Sequence, residues 1–477
     1  MEGEIYYQTK RLHIVMFPTP GMGHLIPITE LAKQLIHHHK FSITLIIPST
    51  GTPSAAMKFV LNGLPEAISY ILLSPVNLDD QLKDAKGETR ISIAMVRSLP
   101  YLREELIRIT SSQHVAAFVI DLFGTDAFDV AKEFGIPPYI FFPCNANVLQ
   151  LILNLSSLHE SYSGEFKDLP QPLRLPGCVP IPGPEILAPL QDKTNDAYKW
   201  FLHHARRYGL AEGILVNTFV DLESRVLKVL MAEKQPGIPT IYPVGPLTRN
   251  NSIDKDFDDA SECLKWLDNQ PPESVLFVSF GSGGILSYEQ IIELAYGLEM
   301  SAQIFLWVIK CPRAATVDAS FSKHTSTDPF DFLPDGYVDR ITGSGFLVPS
   351  WAPQIQILNH GSTGGFLSHS GWNSTLESIV CGVPMITWPL YAEQKMNVVM
   401  LVEDIGVAVR PKPDGNGLIG REEISRVVKA LMMEGEGKIL GNKIRELKDG
   451  ADRVLSENGS SNKSLLEVVN KWKQPYN

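Results

Sequence analysis

The same opening occurs in each half of this 477-residue chain. Leu12-His13-Ile14-Val15-Met16-Phe17 is a short apolar run bounded by prolines and glycines, followed by Leu25, Ile28, Leu31, Ala32 and Leu35 at helical spacing. Val275-Leu276-Phe277-Val278-Ser279-Phe280 is followed by Gly281 to Gly284 and then by Ile291, Leu294, Ala295 and Leu298. Both read as strand, glycine loop, helix. Further buried-strand runs follow at 43–47, 115–120, 139–142 and 214–217 in the first half, and at 304–309, 345–348 and 384–387 in the second. Strands alternating with helical patterns predict parallel sheets in a doubly wound α/β architecture, because a strand apolar on both faces needs helices to cover it.

A chain of 477 residues exceeds what one hydrophobic core supports. The polar stretch Thr248 to Ser261, with the acidic run Asp254 to Asp259, has no apolar period and reads as the linker between domains spanning 1–247 and 262–460. Ligands of open α/β sheets bind outside the carboxyl ends of the strands, so the expected site is the cleft between the two domains.

A net charge of −11 argues against nucleic acid or an acidic membrane surface as the main partner. Cys144, Cys178, Cys263, Cys311 and Cys381 are few, scattered and odd in number, which points to a reducing compartment. Met1-Glu2-Gly3-Glu4 lacks the basic start and apolar run of a signal peptide, and no apolar segment reaches the roughly 18 residues of a membrane span. The expectation is a cytoplasmic protein without membrane insertion, acting as a monomer.

Residues 351 to 394 hold side chains suited to a sugar nucleotide. Trp351 offers a flat face to a base. Glu377 can accept two hydrogen bonds from a ribose diol. His369, Asn373 and Ser374 come just before or at the start of an amphipathic stretch, from which side chains and backbone N–H groups would face a diphosphate. Trp372, Glu393 and Gln394 remain for a hexose. Gly281-Ser282-Gly283-Gly284 reads as a plain glycine turn or as a phosphate loop with Ser282 as an added donor; the phosphate reading is favoured because a helix follows.

This block, from Trp351-Ala352-Pro353-Gln354 through His369-Ser370-Gly371-Trp372-Asn373-Ser374 to Glu393-Gln394, resembles the signature of plant secondary-product UDP-glycosyltransferases in its 44-position length and its end residues. Ser370 stands where the family usually has Cys. Pro20-Gly21-Met22-Gly23-His24, Asp121-Leu122-Phe123-Gly124, Pro243 to Leu247 and Phe280 to Gly284 fall in the family's order, so the resemblance covers nearly the whole chain. It is nearest to the hydroquinone glucosyltransferase (arbutin synthase) branch through Leu175 to Pro180 and Pro389 to Asn397. The resemblance implies the GT-B fold, two Rossmann-like domains facing across a cleft, with residues 461–477 forming a last helix that returns to the first domain. It also adds Ala352 and Gln354 to the UDP-sugar set.

A histidine in the Gly21-Met22-Gly23-His24 loop is either a satisfied turn residue or a general base at the carboxyl end of a strand. Asp121, ending an apolar run, is equally a helix cap or a partner carboxylate. The resemblance implies that His24 is the base and Asp121 the group that orients it and stabilises the imidazolium. Leu122 and Phe123 are then expected to wall the acceptor side together with His24.

No metal is assigned. His37-His38-His39 and His203-His204 read as solvated helix ends, since consecutive residues of a helix point in different directions. The D-x-D patterns at 254–258 lie in the polar linker. Asp126 and Asp129 read as face or cap residues.

The resulting expectation is an inverting UDP-glucose-dependent glucosyltransferase of plant secondary metabolism making β-O-glucosides of small aromatic hydroxyl compounds: hydroquinone-like phenols, phenylpropanoids or indolic hydroxyls. UDP-glucose is a co-substrate and no cofactor is required. Glucose is favoured because the family's galactose users carry His at the position of Gln394. Flavonoids, aromatic amines and thiols are alternative acceptors. Two other classes were weighed: a nicotinamide dehydrogenase, which expects a third glycine where Ile26 stands, and a noncatalytic sugar-nucleotide-binding protein, which has no need of both His24 and Asp121.

Overall fold

Each half of the chain winds a parallel sheet outward from its first strand in both directions. The computed structural model describes residues 12–78, 82, 85–232, 237–249, 258–312, 328–433 and 435–474, with the backbone alone for 258–261. The first sheet comprises β1 (His13–Phe17), β2 (Ser42–Ile47), β3 (Ile68–Leu72), β4 (Val115–Asp121), β5 (Pro138–Phe142), β6 (Gly213–Val216) and β7 (Thr240–Pro243), in the order β3-β2-β1-β4-β5-β6-β7. The second comprises β8 (Val275–Ser279), β9 (Ile304–Ile309), β10 (Gly345–Pro349), β11 (Thr363–Ser368), β12 (Met385–Thr387) and β13 (Ala408–Val409), in the order β10-β9-β8-β11-β12-β13. Every strand pair is parallel.

The expected strands form within a residue or two of their predicted limits. Four strands lie outside the expectation. Three of them are sheet edges: β3 has a mostly solvent-facing ISYIL pattern, β7 ends in proline and β13 is two residues long. The fourth, β11, is central, but its sequence Thr-Gly-Gly-Phe-Leu-Ser hides it. Glycine is needed there because a Cβ at Gly364 would lie 2.0 Å from the Glu273 carbonyl oxygen. The stretch predicted as linker gives way to a helix at Asp258–Asp268; residues 250–257, including the D-x-D patterns, lie outside the described residues.

Helices cover both faces of each sheet, giving two apolar clusters per half. The last helix, Ser460–Trp472, belongs to the first half's core: Leu465, Val468, Val469 and Trp472 pack with the residues of β1, β2 and the helix Met22–His39. The Trp472 ring meets Tyr139 edge-on at 5.4 Å and Phe41 at 6.0 Å, both within the favourable range for aromatic pairs. Ser461 Oγ donates to the Gly245 carbonyl.

This docking predicts that Trp472→Ala, emptying a site that is 3% exposed, destabilises the first half by about 3–5 kcal/mol. Leu466→Ala, at a 44% exposed position of the same helix, stays within about 0.5 kcal/mol. Urea unfolding of the two variants against the wild-type chain checks the contrast; equal midpoints for both would contradict the docking.

Candidate active site

Both sheets reverse their winding between neighbouring strands. In the first sheet the reversal lies between β1 and β4, where Phe17 pairs with Ile120. In the second it lies between β8 and β11, where Ser279 pairs with Ser368. Such reversals are where ligands of open parallel sheets bind. His24 and Asp121 follow and end the first pair; Gly281 to Gly284 and His369 follow the second.

His24 is the third residue of the helix Met22–His39, not a loop residue as expected, because the helix begins directly after Gly21 at φ 127°. Its Nδ1 donates to both Asp121 oxygens at 3.0 Å, with the His24 side chain 20% exposed and Asp121 fully buried. A carboxylate on Nδ1 fixes the tautomer and leaves Nε2 as the basic atom. Burial disfavours the imidazolium, but the Asp121 charge, its hydrogen bond and the charge of Glu393 outweigh it, so the His24 pKa is raised above 6.5.

The helix also carries Pro27, which has no N–H to give the Gly23 carbonyl four residues earlier. That carbonyl instead accepts the Asn373 amide of the other half at 3.0 Å. Asn373 therefore joins the halves beside His24, and the expected phosphate donor is engaged with backbone here.

Several of the residues expected at the nucleotide lie together. Gln354 Nε2 donates to Ser374 Oγ at 2.9 Å and to Glu377 Oε2 at 2.6 Å, joining three of the expected residues. Trp351 is 39% exposed, with Ala352 buried beside it in sequence. Gly281 and Gly371 make room for His369: Cβ atoms there would lie 2.5 Å from its Cε1 and 2.6 Å from its Nε2. His369 is 8% exposed, its Nδ1 has no hydrogen-bond partner among the described residues, and burial with the Lys310 charge lowers its pKa to about 4. It is a neutral imidazole at pH 7. Ser282 is exposed beside it.

Of the expected hexose contacts, Trp372 is corrected. Its indole is 3% exposed and Nε1 donates to the Asn217 carbonyl of the first half at 2.7 Å, because the ring packs into the second half's core. Its backbone N–H is directed at Glu393 Oε1, at 3.4 Å. Gln394 Oε1 accepts from the N–H groups of Leu390 and Tyr391 at 2.7 and 3.0 Å, which leaves its amide NH₂ as the group to offer. Glu393 is half-buried, and burial raises its pKa against the opposing hydrogen bonds and the charge of His24.

Asn397 went unassigned in the sequence. It is fully buried, donates to the Ser370 carbonyl at 2.8 Å and to Glu393 Oε1 at 3.3 Å, and accepts from Asn145 Nδ2 of the first half at 2.6 Å. A polar residue among Met396, Val398 and Val399 was the signal available for it.

On the acceptor side, Phe123 meets the His24 ring edge-on at 6.0 Å and also touches Phe201 and His204. Leu122 is 6% exposed, and its carbonyl accepts the Tyr208 hydroxyl at 3.1 Å, so it supports the wall from behind. His204 is not at a solvated helix end: it is 2% exposed, with Thr125 Oγ1 at 2.7 Å on Nδ1 and Ser92 Oγ at 3.1 Å on Nε2, and burial lowers its pKa to about 3. His203 pairs with Asp126 at 2.9 Å, and Arg207 with Asp129 at 2.9 Å. Asp126, His203 and His204 are the one group among the described residues with metal-ligand proximity, and both His204 nitrogens are already engaged.

Known proteins resemble the chain in family and fold. The family profile described as UDP-glucoronosyl and UDP-glucosyl transferase matches residues 252–414. The chain is 55% identical to hydroquinone glucosyltransferase of Rauvolfia serpentina, covering 96% of this chain and 97% of that one. It is similar in structure to Phytolacca americana UGT2 complexed with UDP-2-fluoro-glucose and pterostilbene: TM-score 0.89, 50% identity, 97% of this chain and 100% of that one. A Polygonum tinctorium UDP-glucosyltransferase capable of glucosylating indoxyl, in complex with 3,4-dichloroaniline, gives a TM-score of 0.91 at 48% identity, covering 98% of this chain and 99% of that one.

The raised His24 pKa has a definite sign in solution. The His24–Asp121 pair contributes stability that is fully present below pH 6.5 and is lost as pH rises through the higher folded-state value. NMR titration of the His24 imidazole should give a midpoint above 6.5 in the wild-type chain and a lower one in Asp121→Asn. A midpoint unmoved by that substitution would contradict the pairing.

Proposed function

Because the chain belongs to the plant UDP-glycosyltransferase family and has the family's GT-B fold, we propose that it transfers glucose from UDP-glucose to small aromatic hydroxyl compounds with inversion, giving β-O-glucosides. The observation that carries this reading is the His24–Asp121 pair, whose Nε2 has no hydrogen-bond partner among the described residues, set within electrostatic reach of Glu393 on the opposite half.

In the proposed reaction Nε2 takes the proton of the acceptor hydroxyl as its oxygen bonds to the anomeric carbon. The bond from that carbon to the diphosphate oxygen breaks on the opposite face, UDP departs with the electron pair, and the α-linkage becomes β. Asp121 stabilises the imidazolium so formed. Trp351 takes the uracil face, Gln354 and Glu377 the ribose, and Ser282, His369, Ser374 and the start of the helix Trp372–Cys381 the diphosphate. Glu393 and the Gln394 amide take the hexose. The diphosphate is met by neutral donors and a helix terminus, so the reading includes no metal.

The acceptor class is supported by Phe123 beside His24 and by the acceptors named for the two relatives, hydroquinone and indoxyl. A phenol, with a pKa near 10, also gives its proton to imidazole more readily than an alkyl alcohol does. The same reading divides the chain at 248–261 and has the enzyme act as a cytoplasmic monomer. No helix among the described residues is long and apolar enough to cross a membrane.

Incubation with UDP-glucose and a panel of phenols, read by mass spectrometry, should show the gain of one hexose, undiminished by EDTA. UDP-galactose and UDP-glucuronate should serve less well. Loss of turnover in chelator with rescue by Mg²⁺, or better use of either rival donor, would contradict the respective part.

His24→Ala should lose about 10²–10⁴ in turnover while UDP affinity stays near wild type. The loss should shrink across a series of increasingly acidic phenols. Near-full turnover on a neutral-pH phenol assay, or a loss constant across the series, would contradict His24 as the base.

A further inference from the structure

The expected phosphate loop is held by a residue with no role in the reading so far. Lys310 directly follows β9, the neighbour of β8, and its side chain reaches across to the loop. Its Nζ donates to the Gly281 carbonyl and to the Ser282 carbonyl, the latter at 2.8 Å. The two peptide units so gripped are trans. In a trans peptide the C=O and N–H point to opposite sides. Drawing both carbonyls toward Lys310 therefore turns the N–H groups of Ser282 and Gly283 away from it together. Neither N–H donates to any acceptor among the described residues.

Two successive N–H groups facing one way in a turn form a concavity for an anion. Gly281, at φ 69°, supplies the backbone conformation that an L side chain rarely adopts. His369 closes one side, its ring 2.5 Å from where a Gly281 Cβ would stand. Its buried Nδ1, without a hydrogen-bond partner, is a second and independent polar group at the same place.

We propose that Lys310 is a positioning residue for the diphosphate: it orients the Ser282 and Gly283 N–H groups as anion donors and keeps a positive charge behind them. This rests on the nucleotide reading above and deepens it. In a chain of net charge −11 that is assigned no metal, a lysine behind the loop opposes the repulsion a diphosphate would otherwise meet. Its ammonium is spent on carbonyls, so it acts through the loop and does not itself hold phosphate.

Calorimetric titration of the full chain with UDP and with uridine separates this role from a structural one, because uridine lacks the groups the loop would bind. Lys310→Met should bind UDP about 10–100-fold more weakly, the loss of one or two charge-assisted hydrogen bonds, with uridine affinity unchanged. Lys310→Arg, which keeps a charged donor, should retain most of the UDP affinity. Wild-type UDP affinity in Lys310→Met would overturn the proposal, and so would an equal fall for UDP and uridine, which would assign Lys310 to the fold alone. A wild-type chain that binds neither ligand overturns the nucleotide reading and this proposal with it.

Discussion

The reversal of winding in each parallel sheet is the constraint on which the site depends. Helices after β1 and β4, and after β8 and β11, leave toward opposite faces, so the carboxyl ends of each pair open onto a crevice instead of a covering helix. That is why His24 and Asp121, separated by 97 positions, meet at 3.0 Å, and why the glycine loop after β8 touches His369. Pairing of β1 with β4 and of β8 with β11 is enough to bring these groups together. The side chains refine positions that the sheets have already set.

Charge is distributed in the cleft so that each group has one protonation state to hold. His369 is kept neutral by burial and the nearby Lys310 charge, so it offers a hydrogen-bonding group without a charge of its own. His24 is driven the other way by Asp121 and Glu393. In the free protein this favours the imidazolium, which in the proposed reaction is also the state that forms as the acceptor gives up its proton. The same carboxylates that lower the population of neutral base thus stabilise the product of proton transfer, a trade that favours acceptors whose own pKa is within reach of imidazole.

What the sequence made legible was local: the two strand–loop–helix openings and the helical stretch that carries Asn373, Ser374 and Glu377. What it hid depends on partners far away along the chain. Trp372 reads as a sugar platform until its indole is seen on Asn217, 155 positions distant, and His204 reads as a solvated helix end until Ser92 and Thr125 are seen to satisfy both nitrogens. Lys310 is one cation at the end of an apolar strand, with nothing nearby in sequence to mark what it holds. β11 was obscured for a different reason: its glycines allow close backbone packing at the cost of strand-like side chains.

Ion pairs such as Arg410 with Glu185 and Arg453 with Asp221 join the two halves, and three further side-chain hydrogen bonds join them nearer the cleft. Asn373 is on Gly23, Trp372 on Asn217, and Asn397 on Asn145. Each uses a group that its own half leaves unpaired or exposes at a strand end; the Gly23 carbonyl is available because Pro27 has no N–H to give it. The two buried bonds, Trp372 on Asn217 and Asn145 on Asn397, are worth only about 1 kcal/mol each in net stability, but an orphaned partner there costs more, so they specify register more than they add to strength. Two of the three end beside residues of the proposed site: Gly23 precedes His24, and Asn397 donates to Glu393. The proposed base of one half and Glu393 of the other are therefore positioned by the same bonds that join the two halves.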